Sequence, residues 1–144
     1  MMEISREHSI AVAHRLYEYG GRCERLHGHN YRIRVTLTAR QLDGLGMVAD
    51  FVDVKKVLFG ALEREWDHHT LLFAEDPLCG QLAAILDDDS VRPVPFNPTA
   101  ENMAAHLATV LFPAAMAQEG FEGVEIVAVT VWETDNSSAT WRRD

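Results

Sequence analysis

Three histidines stand where their ring nitrogens could meet: His27 and His29, separated only by Gly28, and His14 upstream of them. If the two segments are the arms of a hairpin, the imidazoles converge, and Gly28 lets the backbones approach closely. Three neutral nitrogens and one vacant position describe a catalytic zinc site. A His-x-His pair is a weak signal by itself, and the competing reading is of surface or hydrogen-bonded side chains. Two further groups sharpen it. Cys23 stands four residues before His27, and a thiol beside a divalent cation and histidines can ionise near neutral pH. Asp67 directly precedes His68 and His69, and an Asp-His pair holds an imidazole in one tautomer so that it can relay a proton. Taken singly, Cys23 reads as a small loop residue, Asp67 as a helix-terminal turn residue, and His68 and His69 as solvated side chains. Cys79 suggests no role.

The elements that must position these groups are legible in part. In Tyr31 to Ala39, apolar Tyr31, Ile33, Val35, Leu37 and Ala39 alternate with Arg32, Arg34, Thr36 and Thr38, which predicts a strand with one face buried. Ile4 to Leu16 is a weaker strand, joined to it by a glycine-bearing loop, Tyr17 to His29. Val54, Val57, Leu58, Ala61, Leu62 and Trp66 recur at helical spacing after Asp50 and Asp53, either of which could cap the helix. A second helix is predicted from an N-cap at Thr99 through Met103, Leu107 and Leu111, limited by Pro113. Residues 74–98 read as an irregular connector. Val124 to Trp132 suits a strand buried on both sides, and a turn at Asp135, Asn136 and Ser137 leads into a last strand, Ala139 to Arg143. The order is β, β, α, α, β, β in one domain over residues 1–144.

Composition bounds the function. The chain is 47% hydrophobic and 24% charged, as expected of a globular protein. A formal net charge of -9 excludes a phosphate-neutralising nucleic-acid binder or an anionic-membrane binder. The imbalance is uneven: residues 1–40 carry +3 and residues 41–144 carry -12, so a small anion could still be received in the first third, with Arg15, Arg22 and Arg25 the candidates. Two cysteines are too few for a disulfide scaffold, and no apolar leader precedes Arg6, so a cytoplasmic setting is expected.

Five segments in the same order, Ala13-His14-Arg15-Leu16, Cys23 to Tyr31, Asp67-His68-His69, Pro98-Thr99-Ala100-Glu101-Asn102 and Trp132-Glu133-Thr134, resemble the 6-pyruvoyltetrahydropterin synthase and 6-carboxytetrahydropterin synthase family. The resemblance implies an α+β tunnelling fold: a four-stranded antiparallel sheet with two helices on one face, trimers closing a barrel, and two such rings forming a homohexamer. It implies that His14, His27 and His29 bind zinc (Zn2+), that Cys23, Asp67 and His68 are catalytic, and that Glu133 anchors the pterin ring with Thr99 and Glu101 lining its pocket. The implied substrate is 7,8-dihydroneopterin triphosphate.

The Cys-x-x-x-His-Gly-His spacing resembles the carboxy-forming branch, which serves queuosine-type deazapurine synthesis and releases acetaldehyde and triphosphate. The pyruvoyl-forming branch usually has about two more residues there. Ile10-Ala11-Val12 and Trp66 depart from the family's usual residues near the ligands. The alternatives are the pyruvoyl-forming synthase and a non-catalytic pterin-binding member of the fold; the joint presence of Cys23, Asp67 and His68 speaks against the latter.

Overall fold

The computed structural model describes residues 1–118 and 120–144. The expected hairpin is there: β1 (Glu3–His14) and β2 (His27–Ala39) pair antiparallel, with Ile10 opposite Tyr31, Val12 opposite His29 and His14 opposite His27. Both strands run into the histidine segments, so these belong to the sheet and not to the loop. Tyr31, Ile33, Val35 and Leu37 are buried completely or nearly so; burying each stabilises the fold by about 2 kcal/mol before entropy is counted.

The apolar face is covered by two long helical runs. The first, α1, spans residues 51–66, beginning at Phe51–Asp53, widening into π-type turns over Val54–Phe59, and ending at Gly60–Trp66. The Asp50 carboxylate caps it by accepting from the Val52 amide at 2.8 Å. Leu58, Phe59, Leu62 and Trp66 enter the core. Within it Leu107 and Phe112 come from the other covering helix, residues 100–118, which does not stop at Pro113. Its Leu107–Leu111 stretch is π-type and continues as Phe112–Gln118. The wider turns change the hydrogen-bond register just before the proline, where a missing amide donor costs least.

The sheet is larger than four strands. Its order is β4-β3-β1-β2-β5-β6, with β5 (Val124–Thr134) antiparallel to β2 and β6 (Ser137–Arg142) antiparallel to β5. Those four are the antiparallel strands the sequence predicts. On the free side of β1, two short parallel strands are added, β3 (His69–Phe73) and β4 (Val91–Val94), so the sheet is mixed and six-stranded. The segment read as an irregular connector supplies β4 and a crossover helix, α2 (Pro77–Leu86); the residue 100–118 helix is therefore α3. Parallel strands require such a crossover. Leu71 and Leu72 are both fully buried, so β3 shows none of the alternation by which a strand is recognised. Asp76-Pro77, an N-cap followed by proline in the first turn, is the signal from which α2 could have been found.

α2 is also where the loop after β1 is tied down. The Asp76 carboxylate, with a side-chain exposure of 0%, caps α2 through the Leu78 amide and accepts two bonds from Arg15, one of them 2.6 Å from Nε. Arg15 is therefore committed to an ion pair and is not a free cation for a ligand. The guanidinium holds the Asp76 carboxyl below the ordinary carboxylate range. Both cysteines are free, and among the described residues no helix is long and apolar enough to cross a membrane.

A carboxyl whose pKa falls on folding contributes stability that is present above its unfolded value, near 4, and is lost as pH drops through the folded one. Asp76→Asn should therefore flatten the acid side of the thermal stability profile below about pH 4. Asp76→Ala, which strands Arg15, should cost about 3 kcal/mol. Urea unfolding against pH measures both, and an unaltered acid limb would show that the pair does not stabilise the loop.

Candidate metal centre and its surroundings

Antiparallel pairing puts directly opposed residues on one face, and the period of two keeps His29 and Tyr31 on that same face. His14, His27 and His29 therefore continue the apolar stripe of Ile10, Val12, Tyr31 and Ile33 to the end of the hairpin. Their ring centroids lie 4.6 to 5.4 Å apart. Gly28 between them suits a close approach: a Cβ there would lie 3.3 Å from the Val12 carbonyl oxygen, and the strand backbone would have to give by a few tenths of an ångström.

Two of the outward ring nitrogens are occupied. His14 Nδ1 lies 2.7 Å from the Pro98 carbonyl and His27 Nδ1 lies 2.6 Å from the Arg25 carbonyl. A carbonyl accepts, so both Nδ1 atoms carry the proton and both Nε2 atoms are left with a lone pair. Carbonyl partners of this kind orient metal-binding imidazoles. They are backbone atoms, and no residue type announces them.

Glu133 joins the histidines. Its Oε1 lies 3.2 Å from His14 Nε2 and 3.4 Å from His29 Nε2, and one ligand atom from each of the four side chains lies within 4.8 Å of the others. The register of β5 against β6 shifts between Trp132 and Thr134, which singles out Glu133 at an irregularity of the ladder. Tyr31, under the cluster, approaches His14 Nε2 at 3.0 Å and donates to Glu133 Oε1 at 3.5 Å. Burial pushes its phenol far above the ordinary value, so it remains a donor. Sequence reading passed over it as a core residue.

These residues fit a divalent ion. Among the described residues, His29 Nε2 is a buried nitrogen with no hydrogen-bond partner, a costly state unless something else takes the lone pair. His14, 1% exposed, is held below the ordinary imidazole value by burial, against the opposing pull of the Pro98 carbonyl and Glu133. Burial lowers His29 as well. Neutral imidazoles are the form that binds metal.

The other predicted groups divide between two faces. Cys23 lies in a single helical turn, Arg22–Glu24, half-buried. Its carbonyl accepts from the Leu16 amide at 2.7 Å, which ties it to the chain two residues beyond His14 at the cluster end of β1. Tyr17 and Asn97 clamp the same loop by two backbone-to-amide bonds of 2.8 and 3.1 Å. Asp67 and His68 sit instead where the chain enters β3 alongside β1. Asp67 Oδ1 accepts from the Ala11 amide at 3.0 Å and lies 3.0 Å from His68 Nδ1.

His68, with φ +60 and 83% side-chain exposure, lines a pocket of about 420 Å³ with Ala11, Ala13, Gly28 and Asn30. On the β1 and β2 alternation those four point away from the histidine cluster. A left-handed non-glycine residue costs about 1–3 kcal/mol and persists only where its surroundings hold it. His69, in contrast, is half-buried and bonded on both ring nitrogens.

Thr99 caps α3, its hydroxyl accepting from the Asn102 amide at 3.1 Å, directly after the Pro98 carbonyl that orients His14. Glu101 is exposed in the first turn of α3.

A mixed-sheet α+β domain with three imidazoles and a carboxylate gathered at one hairpin end places the chain in a class of proteins whose sheet could hold a divalent ion there. More narrowly, the chain belongs to the 6-pyruvoyl tetrahydropterin synthase family, whose model matches residues 3–144. It is 32% identical to a 6-carboxy-5,6,7,8-tetrahydropterin synthase of Rickettsia bellii over 94% of this chain and 96% of that one. It is 38% identical to a probable 6-carboxy-5,6,7,8-tetrahydropterin synthase of Halobacterium salinarum over 92% and 83%. Its fold resembles that of the 6-pyruvoyl tetrahydropterin synthase from Plasmodium vivax, with a TM-score of 0.74, 20% identity, and coverage of 99% and 98% of the two chains.

The cluster predicts about one zinc per chain by elemental analysis. His27→Ala should weaken zinc binding more than about a hundredfold in a chelator competition, since losing only an outer partner of a ligand costs 10–100-fold. Undiminished affinity would remove His27 from the ligand set.

Proposed function

We propose that the protein converts 7,8-dihydroneopterin triphosphate to 6-carboxy-5,6,7,8-tetrahydropterin, releasing acetaldehyde and triphosphate, as a zinc-dependent lyase in queuosine-type deazapurine synthesis. The observation that carries the reading is the cluster of three imidazoles and Glu133 at the end of β1 and β2, in a chain whose curated relatives bear that product's name. His14, His27 and His29 would hold the ion. Once bound, zinc polarises the hydroxyls of the substrate side chain and makes protons on the neighbouring carbons more acidic.

The rest is work for the chain's own residues. Cys23 removes a carbon-bound proton as the thiolate. His68, oriented by the Asp67 carboxylate, holds and returns a proton, and it is His68 that has the exposure for this task, since both nitrogens of His69 are engaged. Glu133 accepts two parallel bonds from the amino-pyrimidinone edge of the pterin, leaving the three imidazoles as the ion's ligands. On this reading Thr99 and Glu101 help to line that pocket. Arg22 and Arg25 are exposed and, among the described residues, form no ion pair; they are the cations for the triphosphate.

His68 lies one residue before His69 on β3, so the strand alternation turns it to the opposite face from the imidazole cluster. The reading therefore needs a second copy to bring its thiol to this His68, in the homohexamer the family resemblance implies. The protein is placed in the cytoplasm, where both thiols remain reduced.

Zinc-loaded protein given the triphosphate substrate should release acetaldehyde; a pyruvoyl product without acetaldehyde would assign the chain to the other branch. Cys23→Ala should retain zinc and pterin affinity and lose turnover, whereas Glu133→Gln should retain zinc and weaken pterin binding. Mixed oligomers refolded from inactive Cys23→Ala and inactive His68→Ala chains should recover activity, because some sites then combine an intact thiol with an intact imidazole. Failure of any mixture to recover activity would contradict a relay formed between copies.

A further inference from the structure

We propose that His69 and Arg92 form a positioning pair that holds Asp67 and His68 in place, with the tautomer of His69 fixed by Arg92 together with the Asp67 carbonyl. This rests on reading Asp67 and His68 as the proton relay. Neither His69 nor Arg92 touches the substrate or the ion in this account.

The argument begins with a group that can only donate. Arg92 NH2 lies 3.1 Å from His69 Nε2. A guanidinium has no lone pair to offer and does not lose its proton in proteins, so Nε2 must be the acceptor and the imidazole proton must reside on Nδ1. That Nδ1 stands 2.8 Å from the Asp67 carbonyl oxygen, an acceptor that demands such a proton. The two contacts agree on one tautomer, and together they tie the Asp67 carbonyl to β4 through a ring.

Arg92 is itself placed by the sheet. It pairs in register with Leu71 of β3, two residues beyond His69, so it shares the face on which His69 is carried. Its NH1 lies 3.3 Å from Glu65 Oε2 on α1. Its Nε is buried and, among the described residues, has no partner. A guanidinium placed to satisfy itself would not leave that donor unmet. Its position instead serves the bonds to His69 and Glu65.

What this ring restrains is the strained residue. His68 has φ +60, its amide donates to the Ala11 carbonyl at 2.7 Å, and its imidazole faces Asp67 Oδ1 at 3.0 Å. The Asp67 side chain is fixed by the Ala11 amide and the Asp67 carbonyl by His69. Without the latter, the peptide between Asp67 and His68 is held only by the His68 amide on the Ala11 carbonyl, and the imidazole is less firmly kept in the position from which it relays.

The test uses the zinc-loaded full chain. In histidine-labelled wild type, nitrogen NMR should report a protonated Nδ1 and an unprotonated Nε2 for His69; Arg92→Met, which removes one of the two contacts that favour this tautomer, should measurably lower its population, while Arg92→Lys keeps it. A wild-type ring protonated on Nε2, or a signature indifferent to Arg92→Met, would overturn the proposal. In kinetics, His69→Leu should lower kcat about tenfold, the scale for losing an orienting partner, with KM and zinc content unchanged. His69→Asn, whose side-chain amide can donate from the place of Nδ1, should recover most of that loss. Equal losses in Leu and Asn variants would also refute it. If His68→Ala retained full activity, the relay reading would fail, while the tautomer measurement would still decide the role of Arg92.

Discussion

The pairing of His14 with His27 across β1 and β2 is the contact on which the rest of the site depends. A sheet face is a period-two object, so a shift of one residue would carry every side chain of a strand to the other side. With Ile10 opposite Tyr31 and Val12 opposite His29, the apolar stripe that fixes the register is the same stripe that delivers the imidazoles. The core therefore pays the ordering entropy of the ligands, and burial keeps His14 and His29 in the neutral form. Stability and chemistry are joined at Tyr31, fully buried in the core with its hydroxyl under the cluster.

Around that hairpin, two anchors set the positions of the remaining groups. The loop bearing Cys23 is held at its start by Arg15 on buried Asp76 and by Tyr17 on Asn97. The relay edge is held by Ala11 of β1 and by His69 of β3. Both anchors depend on the added parallel strands and the crossover helix, so β3, α2 and β4 serve the site as much as the sheet. Pro98 and Thr99 link the same framework to α3, one orienting His14 and the other capping the helix.

The difference between what the residues foretell and what the fold contains has physical causes. The β2 alternation, the Asp50 and Thr99 caps and the convergence of His14 with His27 and His29 are local or nearly local patterns, and the structure contains each. β3 is short and buried on both faces at Leu71 and Leu72, so it carries no alternation, and β4 is four residues long with a proline within it. α3 passes through Pro113 because the π-type turns before it change the hydrogen-bond register. Arg15 was available as a ligand-facing cation in sequence, whereas its partner Asp76 is 61 residues away. The carbonyls of Pro98 and Arg25 orient the cluster as backbone, without any signature in residue type. The separation of Asp67 and His68 from the Cys23 side follows from which sheet edge β3 joins, a question of topology that no motif answers.

The most direct test of the central claim is zinc K-edge X-ray absorption on the wild-type protein loaded with one equivalent of zinc. The histidine register predicts a first shell of light atoms with the multiple-scattering pattern of three imidazoles and no sulfur. A shell containing sulfur, or one with fewer than two imidazoles, would contradict the account.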